Sequence, residues 1–548
     1  MKKLLFTLWM VGSAAALPAQ ELNKYWVEFT DKDNSPYCTC RPAEFLSARA
    51  IERRARAGIA VVAEDLPVNP HYVKALKTKS VKIHNTSRWL NAATVTADSA
   101  GAARLLDLPF VKNVTYIGRH IPPKNPPNHP PKKRETLLDY PKPGGDDNPL
   151  GYASMQLDML GLPPLYAAGH RGDGIWVAVM DGGFTNTDTL PFFDSVSTQG
   201  RLFPGWDFVE GDGAVYEGAH HGTAVLSVMA ANLPSYFVGG APEATYFLLK
   251  TEDTGGEYPV EEANWVAGAE WADSIGANII NASLGYTHFN DTTLNHNYSK
   301  LDGRTAIGSR GAAIAARKGM VVCNSAGNEG DDWWKYIGVP ADAPGLIAVG
   351  AVNAKGRRAA FSSVGPTPDG RIKPDLVAPG DQVVAAGNFG TQLGLSSGTS
   401  MASPMLAGGL AALWGAFPEK TGSEILNAVF ATTDQALPNN ERGYGLPNLT
   451  AAWLRLGNFH TGSRSLFAFD RDKGEMQFLL THDYFRPGDV FELRDIFGKK
   501  IDDIAVSISG HLITTLCISG LDDLPAGIYQ VVLRNGTHSE RLMGVAWR

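Results

Sequence analysis

Ile175-Trp176-Val177-Ala178-Val179-Met180-Asp181-Gly182-Gly183 is an apolar run that stops abruptly at a carboxylate and two glycines. An unbroken apolar run of this length reads as a strand buried on both faces, because a half-exposed strand would alternate. Similar runs recur at Tyr246–Leu249, Ile279–Asn281, Met320–Cys323 and Leu346–Val349, with helical stretches such as Glu261–Ile275 and Ala306–Arg317 between them. The alternation predicts an α/β fold over residues 150–457, with a mostly parallel sheet covered on both faces. A carboxylate at the C-terminal end of such a strand stands where α/β sheets place ligands. An aspartate before glycine is also an ordinary turn, so Asp181 alone decides nothing.

Two further stretches supply its company. His220-His221-Gly222-Thr223 precedes Ala224–Ala231, which reads as a buried helix. Gly398-Thr399-Ser400-Met401-Ala402-Ser403-Pro404 opens a long Ala/Leu/Gly-rich helical stretch, which places Ser400 at a helix N-terminus. Unpaired N–H groups and the positive end of the dipole there favour a developing oxyanion. A serine before a helix is usually a cap. Its hydroxyl becomes a nucleophile only with a base and a group that orients the base. The chain carries candidates for these three roles in the order Asp181, His221, Ser400.

In that order and with those neighbours the sequence resembles the subtilase family. Val177–Gly183 matches its aspartate motif, His221-Gly222-Thr223 its histidine motif and Gly398–Pro404 its serine motif. Asn281-Ala282-Ser283-Leu284-Gly285 and Asn324-Ser325-Ala326-Gly327-Asn328-Glu329-Gly330 match two more family segments. The resemblance implies a secreted serine endopeptidase made as a zymogen, with a parallel-sheet subtilisin-like catalytic domain. Ser400 is the implied nucleophile, His221 the base, Asp181 its partner and Asn328 an oxyanion donor. It also implies substrate contacts at Ser283, Leu284 and Gly285, and a wide apolar pocket lined by Ala326 and Gly327. Asp331-Asp332-Trp333-Trp334 stands where the family has a smaller, more polar loop; the tryptophans either narrow the pocket or pack the loop. Two positions depart from the usual pattern: Gly182 replaces a Ser or Thr, and Ala224 replaces a His. No cofactor is implied for catalysis. Structural calcium is common in the family, but no calcium loop matches residue by residue, and no metal ligand is assigned.

The flanks differ in composition. Residues 1–20 combine Lys2-Lys3, an apolar run and small residues, the order of a secretory signal peptide. Residues 21–117 read as a small α+β domain, with a strand at Tyr25–Phe29, a helix over Ala43–Ala57 and strands at Ala92–Thr96 and Val111–Ile117. Leu66–Pro70 and Ser87–Ala92 resemble pro-regions of secreted subtilases, notably from Bacteroidetes-type bacteria, which implies that this domain is the protein's own inhibitor. Residues 118–149 are Pro-rich and contain Lys132-Lys133-Arg134, as in an exposed linker open to processing. Residues 458–548 switch to short alternating strands such as Val490–Arg494, Ile513–Ile518 and Ile528–Leu533, an all-β sandwich. Leu493–Lys500 and Leu524–Tyr529 resemble type IX secretion sorting domains, which implies a secretion machinery as partner and a secreted or cell-surface location. Charged residues are 19% of the 548, and the net charge of −7 offers no basic excess for nucleic acid. Cys38, Cys40, Cys323 and Cys517 form no repeating framework. The close pair Cys38 and Cys40 is a weak metal signal, and export would allow a disulfide.

Overall fold

The computed structural model describes residues 21–79, 81–119 and 148–457, and within 458–548 the strand segments together with Lys500 and Ile501. The signal segment 1–20 and the linker's Lys132-Lys133-Arg134 lie outside the described residues. A seven-stranded sheet forms the centre. Its order is Leu376–Pro379, Ile347–Val352, Val321–Ser325, Ile279–Ala282, Trp176–Asp181, Thr245–Lys250 and Leu202–Asp207, and every neighbouring pair is parallel.

The apolar run that opens the reading shows why. Val177 and Val179 point into one core, with the His221–Ala230 and Thr399–Gly415 helices. Ala178 and Met180 point into the other, with Val260–Ile275 and Ile307–Arg317. Both sides of the strand are buried, so no position along it tolerates a polar side chain until the strand ends. Asp181 is the last residue of the strand and the first place where the chain can hold a carboxylate.

The N-terminal unit is a four-stranded antiparallel sheet in the order Lys82–Ser87, Ala92–Ala97, Asn23–Phe29, Val111–Arg119. Its central strand alternates as expected. Tyr25, Val27 and Phe29 enter the unit's own core, while Trp26 joins the core under the Val260–Ile275 helix. The expected helix over Ala43–Ala57 is split into a 3-10 turn at Pro42–Glu44 and a helix at Ala48–Arg56, where Ser47 accepts from the Ala50 N–H as an N-cap. Cys38 and Cys40 are joined as a disulfide, which replaces the metal reading of that pair.

Beyond residue 458 the described strands make two antiparallel sheets, one of five strands and one of three. The expected strands appear as Val490–Asp495, Ile513–Ser519 and Gly527–Asn535. Among the described residues no helix is long and apolar enough to cross a membrane.

Candidate active site

Asp181, at the end of its strand, is almost fully buried, at 1% exposure. Its Oδ1 accepts the Gly182 N–H at 2.8 Å. Its two oxygens lie 3.0 and 2.8 Å from His221 Nδ1. Carboxylate oxygens accept, so Nδ1 is the donor in this pair. The His221 side chain remains 40% exposed, so the ring has one edge on a buried carboxylate and the other toward the cleft. Gly222 makes this approach possible. A Cβ there would stand 2.3 Å from the Gly183 carbonyl and 2.8 Å from Asp181 Cβ.

Ser400 is the second residue of the Thr399–Gly415 helix. The Thr399 N–H goes to Asn328 Oδ1 at 2.8 Å, and the Met401 N–H goes to the Gly398 carbonyl at 3.0 Å. Between them, the Ser400 N–H has no acceptor among the described residues. The Asn328 amide is oriented by the same helix end. Its Oδ1 takes both the Thr399 N–H and the Thr399 hydroxyl, at 2.8 and 3.0 Å. A backbone N–H can only donate, so the oxygen must face Thr399 and Nδ2 must face away. Nδ2 lies 3.6 Å from where a Gly398 Cβ would be, and that same point is 2.8 Å from Ser400 Oγ. Two donors with no acceptor among the described residues therefore flank the serine.

The neighbouring segments brace this arrangement. Ser283 Oγ donates to the Ser400 carbonyl at 2.8 Å, and Ser403 Oγ donates to Asn281 Oδ1 at 2.8 Å. The Leu284 carbonyl accepts from Asn324 Nδ2 and Ser325 Oγ, at 2.8 and 3.0 Å, so it is turned inward, whereas Gly285 is exposed. Ala326 is buried with its N–H and carbonyl both paired, to Val349 and Gly338. It can shape a pocket through its backbone rather than through an open side chain. Gly327 has φ +114°, and both of its backbone groups meet Thr399 Oγ1. Trp334 is buried beneath its loop, whereas Trp333 is 78% exposed with its ring 5.0 Å from His288.

Sequence reasoning missed a carboxyl group beside the cleft. Glu252 lies next to Gly182 and accepts from the Tyr286 hydroxyl. Burial pushes its carboxyl well above the usual range, and Glu257, Asp181 and Asp253 add to that. Glu261 accepts the Asp253 and Tyr258 N–H groups at 2.9 and 3.1 Å and so folds the Asp253–Tyr258 loop. Glu252, Glu257 and Glu261 approach within 4.8 Å of one another. No ligand set for calcium is assigned to them.

Residues 172–445 match the model described as "Subtilase family", half of the chain. Subtilisin NAT of Bacillus subtilis subsp. natto is 32% identical over 381 residues, which covers 69% of this chain and 84% of that protein. This chain belongs to the subtilase family. It is a serine endopeptidase of that family with a propeptide, since residues 24–134 match the "Peptidase S8 propeptide domain, Bacteroidota". Subtilisin of Bacillus pumilus is 31% identical over 300 residues, 54% of this subtilase and 97% of that one. A solved structure of MycP1 with its N-terminal propeptide removed aligns at 23% identity and TM-score 0.44, covering 55% of this chain and 96% of that one.

Proposed function

We propose that this subtilase cleaves peptide bonds through an acyl-enzyme on Ser400. Ser400 Oγ attacks the scissile carbonyl carbon as His221 Nε2 takes its proton, and the carbonyl oxygen becomes an oxyanion. His221 then gives the proton to the leaving amine, the C–N bond breaks, and water repeats the sequence on the ester. Asp181 holds the imidazole with Nε2 unprotonated and stabilises the imidazolium that forms. The Ser400 N–H and Asn328 Nδ2 receive the oxyanion. The carrying observation is that pair of donors beside Ser400, with the Asp181–His221 hydrogen bond already made. No cofactor is needed for this chemistry.

Ser283–Gly285 pairs with the substrate backbone, and the exposed Gly285 with the inward Leu284 carbonyl supports that role. Ala326 and Gly327 leave a wide apolar pocket suited to a large apolar residue before the scissile bond. Residues 21–117 inhibit the site until they are removed. Support comes from their last strand, which ends against the Asp253–Tyr258 loop beside Gly182: a Cβ on Gly118 would stand 2.7 Å from Tyr258 Cβ, and Thr254 lies 3.3 Å from a Cβ on Gly182. Residues 1–20 export the chain, and residues 458–548 address it to a type IX machinery, ending secreted or at the cell surface. The motifs at Leu493–Lys500 and Leu524–Tyr529 and the antiparallel strands there support the sorting reading. Cleavage of casein by the processed protein tests the proposal. Ser400→Ala is expected to abolish it, and unchanged cleavage in that variant would refute it.

A further inference from the structure

Asp331-Asp332-Trp333-Trp334 follows Asn328 closely, and no step of the chemistry uses it. The two tryptophans behave differently. Trp334 is buried, and its indole N–H donates to the Ile337 carbonyl at 3.4 Å. Trp333 is 78% exposed, and no other tryptophan among the described residues is more than 39% exposed. One exposed apolar side chain is ordinarily unremarkable. This one, however, is held in place. The Gly330 N–H donates to the Phe361 carbonyl at 2.7 Å, and the Val364 N–H donates to the Lys335 carbonyl at 2.9 Å, so both ends of the loop are tied down. Between them Asp332 Oδ1 accepts the Trp333 N–H, and Lys335 takes a left-handed φ of +51°. The Trp333 ring then meets the His288 ring at 5.0 Å with a tilt of 58°, and His288 stands edge-on to Trp334 at 5.1 Å.

His288 comes from the opposite wall. The pocket proposed above has Ser283–Gly285 on one side and Ala326–Gly327 on the other. Gly338 and Val339 tie the two together. Val339 exchanges hydrogen bonds with Tyr286 at 2.8 and 3.1 Å, and the Gly338 N–H reaches the Ala326 carbonyl at 3.3 Å. A Cβ on Gly285 would meet nothing nearer than the Val339 carbonyl oxygen at 3.9 Å, so this wall leaves room for a large side chain. Past Gly285 the first wall runs on to Thr287, 3.2 Å from where a Gly338 Cβ would be, and then to His288. Past Asn328 the second wall runs on to Trp333. The two extensions close on each other in the Trp333–His288 contact. The inner lining is glycine and backbone, so this ring pair is where the pocket acquires side-chain character. Aromatic rings favour tilted and edge-to-face partners, and a ring on a fixed loop loses little freedom when one arrives. Asp331 and Asp332 are exposed, where a carboxylate holds a cation only weakly. Lys335 Nζ, 5.0 Å over the Tyr336 ring, brings an opposing positive charge to the same loop.

We infer that Trp333 is the outer wall of this pocket and makes the protease select an aromatic residue immediately before the scissile bond, with His288 as the positioning residue that holds the indole. The inference rests on the assignment of the pocket to Ser283–Gly285 and Ala326–Gly327. It narrows that pocket's preference from large apolar residues to aromatic ones. The exposed indole face is apolar area that the substrate ring covers.

The test measures kcat and KM of the processed protein on peptide p-nitroanilides that differ only in the residue before the scissile bond: Phe, Leu, Ala or Lys. The parent is expected to prefer Phe. In Trp333→Ala the ratio of kcat/KM for the Phe peptide over the Ala peptide falls roughly tenfold, the order expected from one aromatic contact and the area it covers. The loss appears in KM, because substrate and transition state lean on the same ring. Trp333→Phe keeps most of the ratio, and His288→Ala lowers it roughly threefold. An unchanged ratio in Trp333→Ala, or a loss equal across the four peptides, overturns the inference. So does a parent that prefers Leu, Ala or Lys. Thermal unfolding identifies a variant that has not folded. Should Trp333→Ala fail there, Trp333→Leu keeps the loop's apolar bulk without the ring and carries the test. Fluorophosphonate labelling of the parent separates two failures. A labelled protein without the Phe preference refutes this inference alone, and an unlabelled one refutes the Ser400 chemistry and this inference with it.

Discussion

Replacing Asn328 separates what its two amide atoms do. Oδ1 is structural: it accepts the Thr399 N–H and hydroxyl at 2.8 and 3.0 Å and so closes the helix end. Nδ2 is spent on nothing among the described residues and faces the space beside Ser400. In Asn328→Ala both atoms go. Loss of one oxyanion donor costs about 2.7–4 kcal/mol in the transition state, a fall of roughly 10²–10³ in kcat; that figure is borrowed from subtilisin, a relative. The abandoned Thr399 N–H adds about 1–3 kcal/mol of lost stability if it stays dry. In Asn328→Asp an oxygen still accepts from Thr399, but no donor remains. Stability is then largely kept while kcat falls at least as far, because a carboxylate opposes the oxyanion. The assay is steady-state hydrolysis of a chromogenic peptide beside a thermal melt of each variant. KM is expected to change little, since the lost contact belongs to the transition state. A kcat within threefold of the parent in both variants would refute the assignment.

Gly222→Ala puts a methyl 2.3 Å from the Gly183 carbonyl and 3.0 Å from Asp181 Cγ. The Asp181–His221 pair must shift, and kcat/KM on the same peptide is expected to fall about 100-fold, the order of cost of an ångström-scale misplacement. His296 gives a pH test. Burial disfavours its charged form, but the hydrogen bond to Glu262 at 2.6 Å and that carboxylate's charge outweigh it and hold the imidazole above its ordinary range. A raised value stabilises the folded protein fully below the unfolded value, about 6.5, and the benefit is lost as pH rises through the folded value. The Tm gap between the parent and His296→Gln is therefore largest in mild acid and closes at alkaline pH. A gap that widens with pH would contradict the pairing.

The catalytic core was legible because each piece follows a local rule. A strand buried on both faces must be apolar throughout, so Asp181 stands out at its end. His221 and Ser400 stand out because glycine-bearing motifs precede their helices. The orientation of Asn328 was not legible, since it depends on Thr399 meeting it across 71 positions of sequence. Glu252 and Glu261 read as unremarkable acids. Only folding brings Tyr286 to the first and folds the Asp253–Tyr258 loop about the second. The arginines of Ala48–Arg56 had the same ambiguity. Their spacing marks a helix, but their partner Asp273 lies 220 positions from Arg53, and no local rule points across that distance. The disulfide between Cys38 and Cys40 was not legible: two thiols with one residue between them are a weak metal signal, and export allows a disulfide without requiring one.

The most direct test is to treat the processed protein with a fluorophosphonate probe and map the adduct by mass spectrometry. The account predicts a single adduct on Ser400, lost in Ser400→Ala and strongly slowed in His221→Ala. No adduct on the processed protein, or one that persists in Ser400→Ala, would contradict it.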